Sequence, residues 1–323
     1  MQTNQSPDKV LEQYRQVAVV GAGLIGISWA ALFLARGLRV RVYDPRPDLE
    51  TAVRKTLEQA APTLNALGLP TTNLARNLEI VPDLESAVEG ADLVQESGPE
   101  NLAMKQEVWA RIGRKASPRA LLLSSSSTFR ATDLSRDMPH PRRMLIGHPF
   151  NPPYLIPLVE VVPGERTDPA AVAEALAFYK AIGKKPIALH KEIGGHVANR
   201  LQAVILGEAI YLVSQGVVTV DELDDVVTNS LGLRWAAAGP LQSFHCGGGA
   251  GGLKHFLEHI GPPFEYLWSE SGTAHLDEAT IGLMSEQANQ AFGSNVQELG
   301  RVRDQKQIAI LRALREAGAA RQG

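Results

Sequence analysis

Short runs of β-branched and aliphatic residues recur along the first part of the chain, and stretches of helical character separate many of them. Such runs are typical of buried strands, and they are VAVV at 17, LRVRVYD at 38, LEIV at 78, ADLVQE at 91, ALLLSSSS at 120, RMLIGH at 143, LVEVV at 158 and KPIALH at 185. Alternation of strands with helices predicts an α/β fold with a parallel sheet.

The pattern changes after about Glu192 to the spacing of amphipathic helices. Thr219, followed three positions later by Glu222, is typical of a helix N-terminus, and this helix is expected to close at Gly232. A last long helix is expected from Asn295 onward. We therefore predict two domains, residues 1–194 with the sheet and residues 195–323 as a mostly α-helical domain.

A glycine motif follows the first predicted strand and opens the first long helix. Gly21, Gly23 and Gly26 have the spacing G-x-G-x-x-G, with Leu24 and Ile25 between them, and Asp44 ends the next strand. In this context the motif predicts a Rossmann-type, doubly wound sheet that binds a dinucleotide. The pyrophosphate would lie at the helix N-terminus, and the carboxylate would bind the adenosine ribose. The carboxylate of Asp44 favours NAD over NADP, although NADP is not excluded, because Arg46 lies two positions further on.

Composition excludes several other classes of protein. The 323 residues are 44% hydrophobic and 21% charged, and the net charge is −3 without a basic block, which disfavours nucleic acid and anionic membranes as partners. A single cysteine, Cys246, suits a reducing compartment. No signal peptide and no apolar run of about 18 residues is present, so we expect a cytoplasmic protein with a short, loose N-terminal tail.

Four motifs together carry a family resemblance: SSSS ending at Ser127, HPFNPPYLIPLVEVVPG from His148, KEIGGHVANRLQ from Lys191, and GLRWAAAGPLQ from Gly232. They resemble the L-3-hydroxyacyl-CoA dehydrogenase superfamily through nearly the whole chain. The resemblance is closer to its branch that acts on free 3-hydroxy acids, which includes L-gulonate 3-dehydrogenase (also known as λ-crystallin) and L-carnitine dehydrogenase. It implies NAD-dependent oxidation of a 3-hydroxyl group to a ketone.

The same resemblance implies a role for each matching residue. His148 matches the general base, Glu160 the acid that pairs with it, and Ser127 the serine that bonds the reacting oxygen. Asn199 matches the asparagine of the NRL motif. Positions lining the nicotinamide end are matched by Glu96, Lys105 and Asn151.

The chemistry of these residue types agrees with the implied roles. Oxidation of an alcohol needs a base whose pKa lies near the working pH, and histidine meets this need. A carboxylate in an apolar strand such as that of Glu160 needs a partner. Each residue also has a plain structural alternative: a satisfied core histidine, an exposed strand carboxylate, a polar strand end and a helix N-terminal asparagine. No metal site is predicted, because His255 and His259 stand at i, i+4 without an HExxH glutamate.

We expect residues of the helical domain to recognise the substrate. Arg234 is a candidate clamp for a free carboxylate, and Trp235 lies beside it. An arginine in an ordinary surface ion pair is the alternative. Aromatic residues suit the trimethylammonium of L-carnitine, whereas polar residues suit the hydroxyls of L-gulonate. The motifs resemble those of both branches. We therefore expect L-gulonate as the substrate by a narrow margin, with L-carnitine second and a short acyl-CoA third.

Two further expectations concern assembly and class. The apolar helices after Gly195 are expected to pair two subunits into a homodimer, as the resemblance implies. A λ-crystallin-like structural protein is the non-enzyme alternative. The joint presence of Ser127, His148, Glu160 and Asn199 argues against it, because a purely structural protein has no use for all four.

Overall fold

The computed structural model describes residues 6–319, and the chain divides into two compact units. The first unit ends at Asn199 and the second begins at Arg200. The strands β1 to β8 of the first unit are Gln16–Val20, Arg39–Tyr43, Leu78–Ile80, Leu93–Glu96, Leu121–Ser124, Met144–Pro149, Leu158–Pro163 and Lys185–Ala188. Its helices α1 to α7 are Pro7–Leu11, Leu24–Ala35, Leu49–Ala66, Leu84–Val88, Leu102–Lys115, Ala131–Leu134 and Pro169–Ala181.

The eight strands form one sheet in the order β3-β2-β1-β4-β5-β6-β7-β8. The first six are parallel to one another, β7 runs antiparallel to β6, and β8 is parallel to β7. The order of the first six strands is that of a dinucleotide-binding Rossmann fold, with its switch point between β1 and β4. The predicted fold class is confirmed.

Both faces of the sheet are buried, which explains why its strands read as nearly continuous apolar runs. In β1, Val17 and Val19 point into a core that includes α2, α3 and α7. Their neighbours Ala18 and Val20 point into a second core that includes α4 and α5. Alternate residues of one strand therefore hold helices on opposite faces, and the loops at the carboxyl ends of the strands are left to form a site.

The expectation of a loose N-terminal tail is wrong for the part of the tail that the structure describes. Residues 7–11 form α1, and Val10 and Tyr14 are buried. The Tyr14 ring packs edge-on against Phe178 of α7, with 4.7 Å between the ring centroids. Through Val10 and Tyr14, this segment packs into the core of the first unit.

The second unit is helical. Its helices α8 to α15 are Ala198–Ser214, Val220–Asn229, Leu231–Ala237, Pro240–Gly247, Gly252–His259, Gly261–Glu270, Glu278–Phe292 and Val296–Ala319. The first two residues of α8 belong to the first unit. A capping box formed by Thr219 and Glu222 starts α9 as predicted. The predicted end at Gly232 is wrong, because the backbone of Ser230 leaves the helical region and a new helix begins at Leu231. No helix within residues 6–319 has the length and apolarity that a membrane span needs.

Candidate active site

The glycine loop between β1 and α2 is shaped by close backbone approaches. Gly21 has φ +92°, and a Cβ atom there would lie 2.6 Å from the backbone nitrogen of Gly98, in the loop after β4. A Cβ atom on Gly26 would lie 1.8 Å from the carbonyl oxygen of Gly21. Both positions therefore exclude any larger residue. The two loops at the switch point are packed against each other.

Unlike Gly21 and Gly26, Gly23 and the first turn of α2 have free space beside them. A Cβ atom on Gly23 would meet nothing within 4 Å, and no side chain caps the helix there. Leu24 is 63% exposed, whereas Ile25 packs partly against the core. Backbone N–H groups at an uncapped helix N-terminus attract anions. The loop therefore fits the pyrophosphate of a dinucleotide.

Asp44 lies at the end of β2 beside this loop. Its Oδ2 accepts a hydrogen bond from the Ala22 N–H at 2.7 Å, so the carboxylate also holds the loop in place. The guanidinium of Arg46 forms an ion pair with Asp48 at 2.7 Å instead of pointing to a separate anion. A carboxylate beside an already paired arginine disfavours a 2′-phosphate, which agrees with the predicted preference for NAD.

Glu96 and Lys105 form a buried ion pair behind the loop after β4. Their side chains are 1% and 2% exposed, and Nζ of Lys105 lies 2.7 Å from Oε1 of Glu96. Glu96 also accepts hydrogen bonds from the Gly98 N–H at 2.7 Å and from the Ser124 hydroxyl at 2.6 Å. The carboxylate thus joins the ends of β4 and β5. The polar atoms of the pair are used within the protein, which suits residues that shape a site.

Glu100 was not singled out from the sequence, although it organises the serine run. Its Oε1 accepts hydrogen bonds from the Ser126 hydroxyl at 2.6 Å and from the N–H groups of Ser127 and Thr128 at 3.1 and 2.9 Å. Burial raises the pKa of Glu100, but these bonds and the nearby Lys105 charge outweigh it and hold the pKa below its ordinary value. Glu100 is therefore ionised at neutral pH and keeps the turn after β5 rigid.

The hydrogen bonds of the four serines distinguish Ser127 from the others. Ser124 bonds to Glu96, Ser125 to a network beneath the loop, and Ser126 to Glu100. Within the described part of the chain, the Ser127 hydroxyl alone among these four makes no hydrogen bond. The side-chain amide of Asn199 approaches the Ser127 carbonyl at 3.5 Å. The structure thus brings the two predicted residues together and leaves one hydroxyl available.

His148 and Glu160 face each other across the antiparallel pair β6 and β7. The two residues are directly opposite in the register, and Nδ1 of His148 lies 2.8 Å from Oε2 of Glu160. Both are buried, at 4% and 2% exposure. The second carboxylate oxygen accepts hydrogen bonds from the N–H groups of Val197 and Ala198, at 2.9 and 3.0 Å. Strand register therefore holds the pair, while the first residue of α8 and the residue before it satisfy the rest of the carboxylate.

These bonds settle which nitrogen of His148 carries its proton. Burial alone raises the pKa of Glu160, but the hydrogen bonds from His148, Ala198 and Val197 outweigh it and hold the pKa below its ordinary value. An ionised carboxylate only accepts, so Nδ1 of His148 is the donor. The neutral imidazole then has its lone pair on Nε2. A histidine held in this way by a carboxylate is suited to act as a general base.

The proline-rich loop between these two strands is held by Lys184, which lies in the connection between α7 and β8. Lys184 is buried and donates hydrogen bonds to the carbonyls of Pro153 and Ile156. Its ammonium also lies 5.5 Å from the centroid of the Trp29 ring. Burial lowers the pKa of Lys184 to about 7. Asn151, near the start of this loop, is exposed.

Strand β6 has no room for a side chain at the residue before His148. A Cβ atom on Gly147 would lie 1.9 Å from the hydroxyl of Tyr179, a fully buried residue of α7. That hydroxyl donates to Gln95 at 2.9 Å, and Gln95 donates to Ser125 at 2.9 Å. Burial raises the pKa of Tyr179, so the phenol stays protonated. The network links α7 to the ends of β4 and β5.

Of the four residues predicted to contact the substrate, Ser127 and Asn199 lie in the first unit, whereas Arg234 and Trp235 lie in the second. Arg234 and Trp235 are consecutive in α10, where the arginine is exposed and the tryptophan is half-buried. Other aromatic residues of this unit would also suit a trimethylammonium group, and of these Phe244 and Phe264 pack with Phe256 in a small cluster. Tyr266 and Trp268 are 63% and 69% exposed.

The fold, the glycine loop and the acidic residue after β2 define a class, the NAD-dependent oxidoreductases. The chain belongs to the 3-hydroxyacyl-CoA dehydrogenase family. The family's model for the NAD binding domain matches residues 16–193, and its model for the C-terminal domain matches residues 195–288. The predicted family, enzyme class and cofactor are confirmed.

Two similar proteins and one solved structure can be compared with this chain individually. An L-carnitine dehydrogenase of Streptomyces coelicolor is 42% identical over 95% of this chain and 97% of its own. A 3-hydroxyacyl-CoA dehydrogenase of Gibberella moniliformis is 41% identical over 88% of this chain and 89% of its own. Among solved structures, an NAD+-dependent dismutase, 5-formyl-3-hydroxy-2-methylpyridine 4-carboxylic acid 5-dehydrogenase, superposes with a TM-score of 0.79 at 29% identity, covering 94% of this chain and 99% of that one.

Proposed function

We propose that this enzyme oxidises the 3-hydroxyl of L-carnitine to a ketone and that His148 is the general base. The observation that carries the proposal is the buried pair in which Nδ1 of His148 donates to Glu160 at 2.8 Å. Because Nδ1 is committed to the carboxylate, the lone pair on Nε2 is the available acceptor for a substrate proton.

The roles of the other residues follow from their contacts. As the hydroxyl proton passes to His148, the developing imidazolium is stabilised by Glu160, which keeps its own charge. The Ser127 hydroxyl and the Asn199 amide supply hydrogen-bond donors for the oxygen that loses its proton. Gly21, Gly23 and Gly26 with Asp44 would hold NAD, while Glu96, Lys105 and Asn151 would line its nicotinamide end. NAD held there would supply the acceptor for the hydride that leaves carbon 3.

The choice of L-carnitine rests on the relatives. The Streptomyces coelicolor protein matches nearly the full length of both chains, and its name is L-carnitine dehydrogenase. This favours L-carnitine over L-gulonate, which the motifs alone had placed first. Arg234 would hold the free carboxylate, and Trp235 beside it would face the trimethylammonium group. The Gibberella moniliformis relative keeps a 3-hydroxyacyl-CoA as the second candidate.

A side-by-side measurement of NADH production tests the substrate. L-Carnitine and 3-hydroxybutyrate share the carboxylate and the 3-hydroxyl but differ in the trimethylammonium group. Since a desolvated cation–π contact contributes about 2 kcal/mol, we expect kcat/KM for L-carnitine to be at least about tenfold higher. L-Gulonate and 3-hydroxybutyryl-CoA complete the panel. A higher kcat/KM for either of them contradicts the proposed substrate, and no NADH with any of the four contradicts the proposed reaction.

We also propose that two copies pair through the helical unit. Large apolar side chains there are exposed, among them Val204 at 74%, Leu233 at 69% and Val296 at 76%. Exposure of this kind marks association surfaces. Light scattering is expected to give twice the single-chain mass of 34.8 kDa. Val204→Glu is expected to shift the protein towards the single-chain mass, whereas Ile187→Glu, 56% exposed on strand β8, leaves the assembly intact. A wild-type mass of one chain refutes the pairing.

A cytoplasmic location completes the proposal. It is supported by the single cysteine, Cys246, which is exposed as a free thiol and therefore suits a reducing compartment.

A further inference from the structure

His196 is a buried residue in contact with the base that the mechanism above does not use. It is 1% exposed and directly precedes the segment that binds Glu160. Its ring centroid lies 5.1 Å from that of His148, with 49° between the ring planes. Its backbone has φ +51°, a left-handed conformation that is uncommon for residues other than glycine.

The hydrogen bonds of His196 define its protonation state. Nε2 lies 3.0 Å from the carbonyl oxygen of Ser126, and because a carbonyl only accepts, Nε2 carries the hydrogen. Nδ1 is buried and has no hydrogen-bond partner within the described part of the chain. A proton on Nδ1 would create a buried, unpaired N–H and an additional positive charge. The geometry therefore keeps this imidazole neutral.

The surroundings of His196 as a whole act in the same direction. His148 faces it from β6, Glu160 from β7 and Glu100 from the loop after β4. Burial is the largest effect and lowers the pKa of His196, as does the neighbouring His148. Together they outweigh the hydrogen bond to the Ser126 carbonyl and the two carboxylates, which raise it. One carboxylate, Glu160, contacts His148 directly, so the positive charge of an imidazolium is best placed there.

The backbone of His196 contributes as well. Its left-handed turn leads directly into the N–H groups of Val197 and Ala198, which donate to Glu160. The side chain contacts His148 and holds the carbonyl of Ser126, the residue before Ser127. One residue thus connects the base, its carboxylate and the serine turn. An apolar ring at this position would fill the space but would leave the Ser126 carbonyl without its donor.

We propose that His196 is a positioning residue, a permanently neutral imidazole that fixes the serine turn relative to His148 and leaves His148 as the sole acceptor of the substrate proton. The inference rests on the proposed function, since it deepens the role of the same site. His196 itself neither touches the reacting atoms nor transfers a proton.

Two substitutions separate this role from simple space filling. His196→Phe keeps a ring but loses the bond to Ser126, whereas the amide nitrogen of His196→Gln reaches the place of Nε2 and can restore that bond. With the substrate that the wild type prefers, we expect kcat of the Phe variant to fall about 10- to 100-fold, as for a small misplacement of reacting groups, with KM for NAD unchanged. The Gln variant should remain within about threefold of the wild type. Equal losses in both variants, or none in the Phe variant, overturn the proposal.

Two further measurements keep the test decisive. If His196→Phe shows no cooperative unfolding transition, the variant is not properly folded, and His196→Asn takes its place. Asparagine adopts the left-handed conformation readily, and its side-chain amide is too short to reach the Ser126 carbonyl. In ¹⁵N-histidine-labelled wild-type protein, the resonance that His196→Gln removes should stay that of a neutral Nε2–H tautomer from about pH 6 to 8, around the ordinary histidine pKa. A titrating resonance refutes the inference. This reading needs no substrate, so it is independent of the panel that tests the proposed function.

Discussion

Replacement of His148 by alanine is expected to lower kcat by about 10²- to 10⁴-fold, the contribution that a positioned general base makes to proton transfer. The loss follows from the proposed mechanism, in which Nε2 of His148 accepts the substrate proton while Glu160 holds Nδ1. The dissociation constant for NAD, measured by calorimetric titration, should not change, since the glycine loop and Asp44 lie at the ends of other strands. His190→Ala, an exposed histidine of the same unit, is the control and should keep full activity. Turnover by His148→Ala near the wild-type rate would rule out His148 as the base.

Removal of the Lys105 charge is expected to lower the free energy of unfolding by about 3–5 kcal/mol, since it leaves Glu96 as an unpaired buried carboxylate. The two side chains are 2% and 1% exposed and only 2.7 Å apart, so water cannot replace the lost partner. Urea unfolding of Lys105→Met provides the measurement.

Lys115→Met is a matched control for this change. The ion pair between Lys115 and Glu89 has a similar distance, 2.8 Å, but its side chains are 41% and 66% exposed. Its removal is expected to cost less than about 1 kcal/mol. Equal losses in the two variants would show that burial does not set the contribution of the Glu96–Lys105 pair. Because Glu96 also binds Gly98 beside Gly21, Lys105→Met should in addition weaken NAD binding.

The sheet could be predicted from sequence because buried parallel strands leave a continuous apolar signal. All eight predicted runs correspond to β1–β8, and the glycine motif indicated where the order of the strands reverses. The N-terminal segment was misread because its few apolar residues, Val10 and Tyr14 among them, are separated by polar ones. The end of α9 was misplaced because Gly232 is a stronger breaker signal than Ser230, where the helix ends.

The candidate site shows a different limit. Motifs pointed to His148 and Glu160, yet only strand register shows that they meet, since twelve positions separate them in the chain. Glu100 and His196 act through partners that are 26 and 70 positions away, at Ser126. No local spacing signals such contacts. The serine run illustrates the same point, because four identical residues differ only in what the fold places beside each of them.

The contact between Gly147 and Tyr179 couples two positions that no motif connects. The phenol oxygen occupies the place where residue 147 would carry its first side-chain carbon, at 1.9 Å. Position 147 is therefore restricted to glycine for as long as residue 179 keeps its hydroxyl there. A redesign of this part of the site must therefore change residues 147 and 179 together. A side chain at position 147 alone would clash with the phenol oxygen, and loss of that hydroxyl alone would leave the amide oxygen of Gln95 without its donor.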